Sequence, residues 1–129
     1  MSVVELTIWN SVAIGFFGFF FGGFETVTNF LYAVTDNLEI PRKQHGAELP
    51  VNASDQDVKM KVYQMLILGI ILLTVSTLSL LTDPRLFIIG GLAILSSALL
   101  DAKKFRKWNM LIVWSVITAL VIVFSLIPI

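Results

Sequence analysis

The 129-residue chain contains no cysteine. Disulfides, thiolate metal sites, iron–sulfur clusters and a cysteine nucleophile are therefore excluded. It contains one histidine, His45, so paired-histidine ligation of a haem or metal cannot come from one chain alone. Charge is scarce: 14% of residues are charged, against about a quarter in soluble domains. The formal net charge is zero, which leaves no overall field to attract nucleic acid. Proline is also rare, and none interrupts a long apolar run before Pro128. The opening MSVVEL has no basic n-region, so the first apolar segment is read as a retained span rather than a cleaved signal.

What the chain does have is apolar length. Hydrophobic residues make up 57% of it and fall in long uninterrupted runs, so the bilayer is the expected solvent. The longest polar stretch, Thr35 to Lys61, is too short for a core of its own. The expected fold is all-α: a single transmembrane domain over 1–129, a four-helix bundle with spans at 6–33, 62–81, 86–102 and 108–129. Polar cytoplasmic loops are expected at 34–61 and 103–107. The first span would be about 42 Å long against a hydrocarbon core of about 30 Å, so it must tilt, bend or protrude.

Local chemistry sets the boundaries. Ser54-Asp55-Gln56-Asp57 spells a capping box, which starts a helix near Asp55. Thr82-Asp83-Pro84-Arg85 spells a tight turn in which Asp83 caps and Pro84 takes a first-turn position. Lys and Arg set the orientation. Arg42, Lys43, Lys59 and Lys61 precede the second span; Lys103, Lys104, Arg106 and Lys107 precede the fourth; only Arg85 lies in the intervening turn. With four spans both basic loops fall on one side, which the positive-inside rule makes cytoplasmic, with both termini outside. A prokaryotic plasma membrane is the expected location. Tyr32 and Trp108 sit where interfacial aromatics belong. The sequon Asn52-Ala53-Ser54 then faces the cytoplasm and should carry no glycan.

Membrane helices associate through small residues that let backbones approach, and through a few hydrogen bonds. Each span offers such a face: Gly15, Gly18 and Gly22; Gly69, Ser76 and Ser79; Gly90, Ala93 and Ser97; Ser115, Thr118, Ala119 and Ser125. The stretch GFFGFFFGGFE, Gly15 to Glu25, stands apart because six phenylalanines fill the directions that its glycines leave. A helix apolar all round must be surrounded by apolar matter. The reading taken here is a docking helix, with Gly15, Gly18, Gly22, Phe16, Phe20 and Phe24 meeting another protein.

Candidate chemistry is sparse. Glu25 is the one acid well inside a span, and Thr28 and Asn29 follow at helical spacing. An intramembrane acid is a functional candidate by default. Glu25 with Asn29 is therefore either an ion or proton site or an anchor paired with a basic residue of the cytoplasmic loops, and the anchor is preferred. His45 reads as a solvated loop residue. Lys103, Lys104, Arg106 and Lys107 serve as a topology signal that can also meet anionic lipid headgroups. Asp101 reads as a rim ion pair with Lys103 and Lys104. No catalytic residue, cofactor site or metal site is assigned. The expected function is a non-catalytic accessory subunit of a larger membrane complex, such as a respiratory or oxygenase-type enzyme. Its expected partners are other integral membrane subunits and the lipid bilayer, with no nucleic acid. The alternative is a homo-oligomeric proton- or ion-coupled transporter or channel that uses Glu25.

Overall fold

The computed structural model describes residues 3–126. They form five α-helices: α1 (Val3–Thr35), α2 (Glu39–Gln44), α3 (Asp55–Leu81), α4 (Phe87–Phe105) and α5 (Trp108–Leu126). A 3₁₀ turn, Pro84–Leu86, leads into α4. No strand occurs among the described residues. Three helical stretches are long and apolar enough to cross a membrane: Ile8–Thr35, Asp55–Leu81 and Trp108–Leu126. α4 is also 19 residues long, but its last turns carry Asp101, Lys103 and Lys104.

The extra helix lies in the expected loop. In α2 the side chain of Asn37 accepts from the amides of Glu39 and Ile40 at 3.1 and 3.2 Å, which supplies two of the first-turn partners a helix lacks. Pro41 sits within that first turn, where its missing donor costs nothing. The capping box forms as spelled: the Asp57 amide donates to Ser54 Oγ at 3.2 Å, and the Ser54 amide donates to Asp57 Oδ2 at 3.3 Å. Asp83 caps the hairpin turn, accepting from the Arg85 amide at 2.9 Å. α4 runs on to Phe105, so the second basic loop shrinks to Arg106 and Lys107. Arg106 closes α4 in the left-handed region, at φ 58°.

α1 packs along α3, and α4 packs against both α3 and α5. The core holds Ile14, Met65, Leu68, Leu72, Val75, Phe87 and Ile94. Three of the four glycines of α1, Gly15, Gly18 and Gly22, lie against other parts of the chain. A methyl added to Gly22 would meet Leu73 N at 2.6 Å and Gly69 O at 2.9 Å; one added to Gly69 would meet Thr26 N at 2.7 Å. The two backbones therefore touch, a spacing only glycine on both sides permits. Gly18 lies against Ser76 and Phe87, and Gly15 against Leu80. These three glycines do not face outward, which corrects their assignment to a surface for another protein. Of the small residues expected to line α5, Thr118 and Ser125 are buried, and Thr118 Oγ1 donates to Gly91 O at 3.3 Å; Ser115 and Ala119 are exposed.

The surface is the inverse of a soluble protein's. Phe16, Phe17, Phe19, Phe20 and Phe24 are exposed, as is most of α5, while Glu25, Asn29, His45, Lys61 and Asp101 are buried. Large apolar surfaces of this kind mark contact with lipid or with another protein. A second apolar cluster, Leu49, Ala53 and Val58 with Leu38 and Phe105, lies at the polar end of the bundle. It holds the α1–α3 connection down over the helix ends.

Candidate functional site

The buried polar residues converge at that capped end. Each arrives by helical register. On α3, Lys61 lies three residues after buried Val58 and four before buried Met65, so it falls on the inward stripe. On α4, Asp101 stands four residues after Ser97, again on the buried side. Lys61 Nζ donates to Asp101 Oδ2 at 2.6 Å, and the two side chains are 2% and 5% exposed. Gln64, one turn along α3, donates to Ser97 Oγ at 2.6 Å and to Asp101 Oδ1 at 3.3 Å. α3 and α4 are thus joined by a buried ion pair with its remaining lone pairs partly satisfied, as a buried charge requires.

On α1, the Asn29 amide donates to Glu25 Oε2 at 2.9 Å and to the Glu25 carbonyl at 2.7 Å. Asn29 Oδ1 lies 3.4 Å from His45 Nε2, and His45 Nδ1 lies 4.0 Å from Glu48 Oε2. A chain of polar groups therefore runs Glu25, Asn29, His45, Glu48. It continues across a small cavity of about 10 Å³, lined by Glu48, Lys61, Ser97, Asp101 and Trp114 among others. That is room for about one water. Burial, with Lys61 nearby, lowers the His45 pKa from 6.5 to about 4, so the imidazole is neutral at pH 7. Burial raises the pKa of Glu48; Lys61 opposes that, Asp101 adds to it, and a hydrogen bond from the Trp114 indole works against it.

Several expectations change here. His45 is 4% exposed rather than solvated, because α2 and the turn after it fold it inward. Lys61 is a buried helix residue rather than a loop charge. Asp101 pairs with Lys61 rather than with Lys103 or Lys104. Glu25 and Asn29 come together as their spacing predicted. Among the described residues, however, Glu25 accepts from an amide and forms no ion pair with a basic loop residue. Phe16, Phe20 and Phe24 are exposed, and Phe16 stacks on Phe20 at 5.9 Å. Lys103, Lys104 and Arg106 are exposed and Lys107 half-buried at the same end, with Lys104 3.8 Å from Asp57. Arg42 reaches Asp55 at 2.8 Å and the Ala53 carbonyl, tying α2 to the start of α3.

Two further spaces are apolar. A crevice of about 350 Å³ opens between α1 and α5, lined by Ala13, Ile14, Phe17, Phe87, Ile117, Leu120, Val121 and Phe124, with Asn10 at its edge. Another, of about 260 Å³, lies between α3 and α4. Among the described residues no group of three or more metal-ligating side chains occurs. Comparison with protein families, curated proteins and solved structures finds no match.

Proposed function

We propose that this chain is a non-catalytic integral membrane subunit that packs through the aromatic face of α1 against other membrane subunits of a larger complex. A respiratory or oxygenase-type enzyme is the kind of host it suits. The observation that carries this reading is the division of labour on α1. Gly15, Gly18 and Gly22 are taken up against α3 and Phe87, while Phe16, Phe17, Phe19, Phe20 and Phe24 are left outward as a partly stacked surface. Aromatic rings offer large contact area with little rotamer entropy to lose, which suits a protein interface. α5 is similarly exposed along its length and leaves the crevice beside α1 open to a neighbour.

The finer topology belongs to the same proposal. α4 makes the fourth crossing: 19 residues span about 28 Å, close to the hydrocarbon thickness. Its acid, Asp101, is neutralised by Lys61 rather than left bare in lipid. The remaining basic residues of the two connections gather at one end, which supports a cytoplasmic position for that end with both termini outside.

The test is purification of the untagged assembly from its native membrane in mild detergent, with mass spectrometry of what co-migrates. Stoichiometric foreign membrane subunits support the reading, and a pure homo-oligomer or monomer overturns it. A second reading, a homo-oligomeric proton- or ion-coupled transporter, is favoured by the burial of Glu25 at 7% exposure. Glu25→Gln separates the two: it abolishes transport in that reading and leaves assembly intact in ours.

A further inference from the structure

The polar cluster does not balance its charge. It gathers three carboxyl groups, Glu25 from α1, Glu48 from the turn after α2 and Asp101 from α4. Against them stands Lys61 from α3, the one buried cation among the described residues. Fully ionised, the group would carry two uncompensated negative charges. Lys61 is already committed to Asp101 at 2.6 Å. Glu25 has the Asn29 amide. Glu48 has a neutral donor, the Trp114 indole of α5, but no cation of its own: its side chain is 13% exposed, and His45 Nδ1 lies 4.0 Å away, beyond hydrogen-bond distance. The His45 side chain is itself 5% exposed and turned into the cluster. Trp114 of α5 closes the remaining side of the cavity. An uncompensated buried carboxylate is costly enough that such groups take up a proton instead.

We infer that the cluster is a proton-binding site, holding one exchangeable proton at neutral pH on the Glu48 carboxyl, between His45 and the Lys61–Asp101 pair. The protonated carboxyl is a donor as well as an acceptor. It can give a hydrogen bond to one water in the 10 Å³ cavity or, with a small side-chain rotation, to the imidazole. His45 is placed to take that hydrogen bond without taking the charge. The position suits exchange, since Glu48, with His45, lies in the connection at the polar end of the bundle, while Glu25, Lys61 and Asp101 are carried on the long helices. This inference stands apart from the subunit proposal: it rests on charge and geometry within one chain and does not need a partner.

The test is pH-titrated infrared difference spectroscopy of the purified full chain in detergent, in sodium-free and sodium-containing buffer. At pH 7 a protonated-carboxyl band is expected, absent from Glu48→Gln and retained in Glu25→Gln. Asp101→Asn provides a second check that keeps Glu48 in place. It frees Lys61 to compensate Glu48, so proton affinity should fall at least tenfold, moving the titration midpoint down by about one pH unit. No such band at pH 7 overturns the inference, as does a band that survives Glu48→Gln. A band that appears only when sodium is withdrawn also overturns it, because a metal cation then supplies the missing charge. Thermal melting of each variant shows whether the fold is retained; a Glu48→Gln chain that does not fold leaves the Asp101→Asn midpoint as the deciding result.

Discussion

Gly22 and Gly23 are neighbours in α1, and a methyl group added to each meets opposite surroundings. At Gly23 it meets nothing within 4 Å. At Gly22 it falls 2.6 Å from Leu73 N, 2.9 Å from Gly69 O and 3.1 Å from Leu72 C, all of them backbone. Ordinary contact needs about 3.5 Å, so α1 and α3 must part by roughly 0.9 Å at this point, and a gap of that size forfeits between a quarter and a half of each facing dispersion contact. Overpacking of this kind costs about 1–3 kcal/mol. Alanine returns about 1 kcal/mol over glycine in a helix interior. Gly22→Ala should therefore destabilise by up to about 2 kcal/mol, and Gly23→Ala should stabilise by up to about 1 kcal/mol. Reversible unfolding in mixed micelles with rising dodecyl sulfate, followed by far-ultraviolet circular dichroism, measures both. Gly69→Ala, reciprocal to Gly22, should cost a similar amount, and the two together less than their sum, since the first already separates the backbones. Equal signs at Gly22 and Gly23, or a Gly22→Ala protein no less stable than Gly23→Ala, would refute the packing argument.

The polar cluster makes its own predictions. Lys61→Met leaves Asp101 buried without its cation and should cost about 3–5 kcal/mol in the same unfolding assay, most of it recovered by Lys61→Met with Asp101→Leu. Asn29→Ala removes the amide from Glu25 and should cost about 1–3 kcal/mol, with Asn29→Gln no substitute because the longer side chain cannot repeat the one-turn geometry. His45 gives a pH dependence. Its folded pKa of about 4 lies below its ordinary 6.5, so the unfolded chain binds more protons in that window, and stability should fall by up to about 3 kcal/mol as pH drops from 6.5 to 4. Glu48 works the other way, since its folded pKa is raised and its contribution is lost as pH rises through that value. The His45 slope is therefore best read in Glu48→Gln, where it should persist, and it should vanish in the further variant His45→Leu.

Much of the architecture was legible in the sequence because lipid imposes strong rules. Apolar length fixed the long helices, the capping box placed the start of α3, and Thr82 to Arg85 placed the turn before α4. α2 was not legible: six residues containing Pro41 carry no periodic signal, and the helix depends on Asn37 and on Arg42 reaching across to Ala53 and Asp55. Glu25 and Asn29 were legible because both lie on one helix, one turn apart. Their neighbours were not, since Lys61, Asp101, His45 and Glu48 come from three other segments whose meeting depends on tertiary packing. A partial signal existed. Lys61 shares a face with Val58, Met65 and Leu68, and Asp101 shares one with Ile94, Ser97 and Ala98, so both stand on stripes meant for the interior. Reading Lys61 as a loop charge and Asp101 as a rim ion pair treated their side of the helix as solvent.

The subunit proposal turns on what meets the phenylalanine face of α1. The most direct measurement replaces Phe20, 67% exposed at the middle of that face, with a photoreactive benzoyl-phenylalanine in the native membrane. The account predicts a discrete adduct with one foreign membrane subunit after irradiation, and none from a control at Gly23 if that position faces lipid alone. Adducts with lipid only, or with a second copy of this chain only, would contradict it.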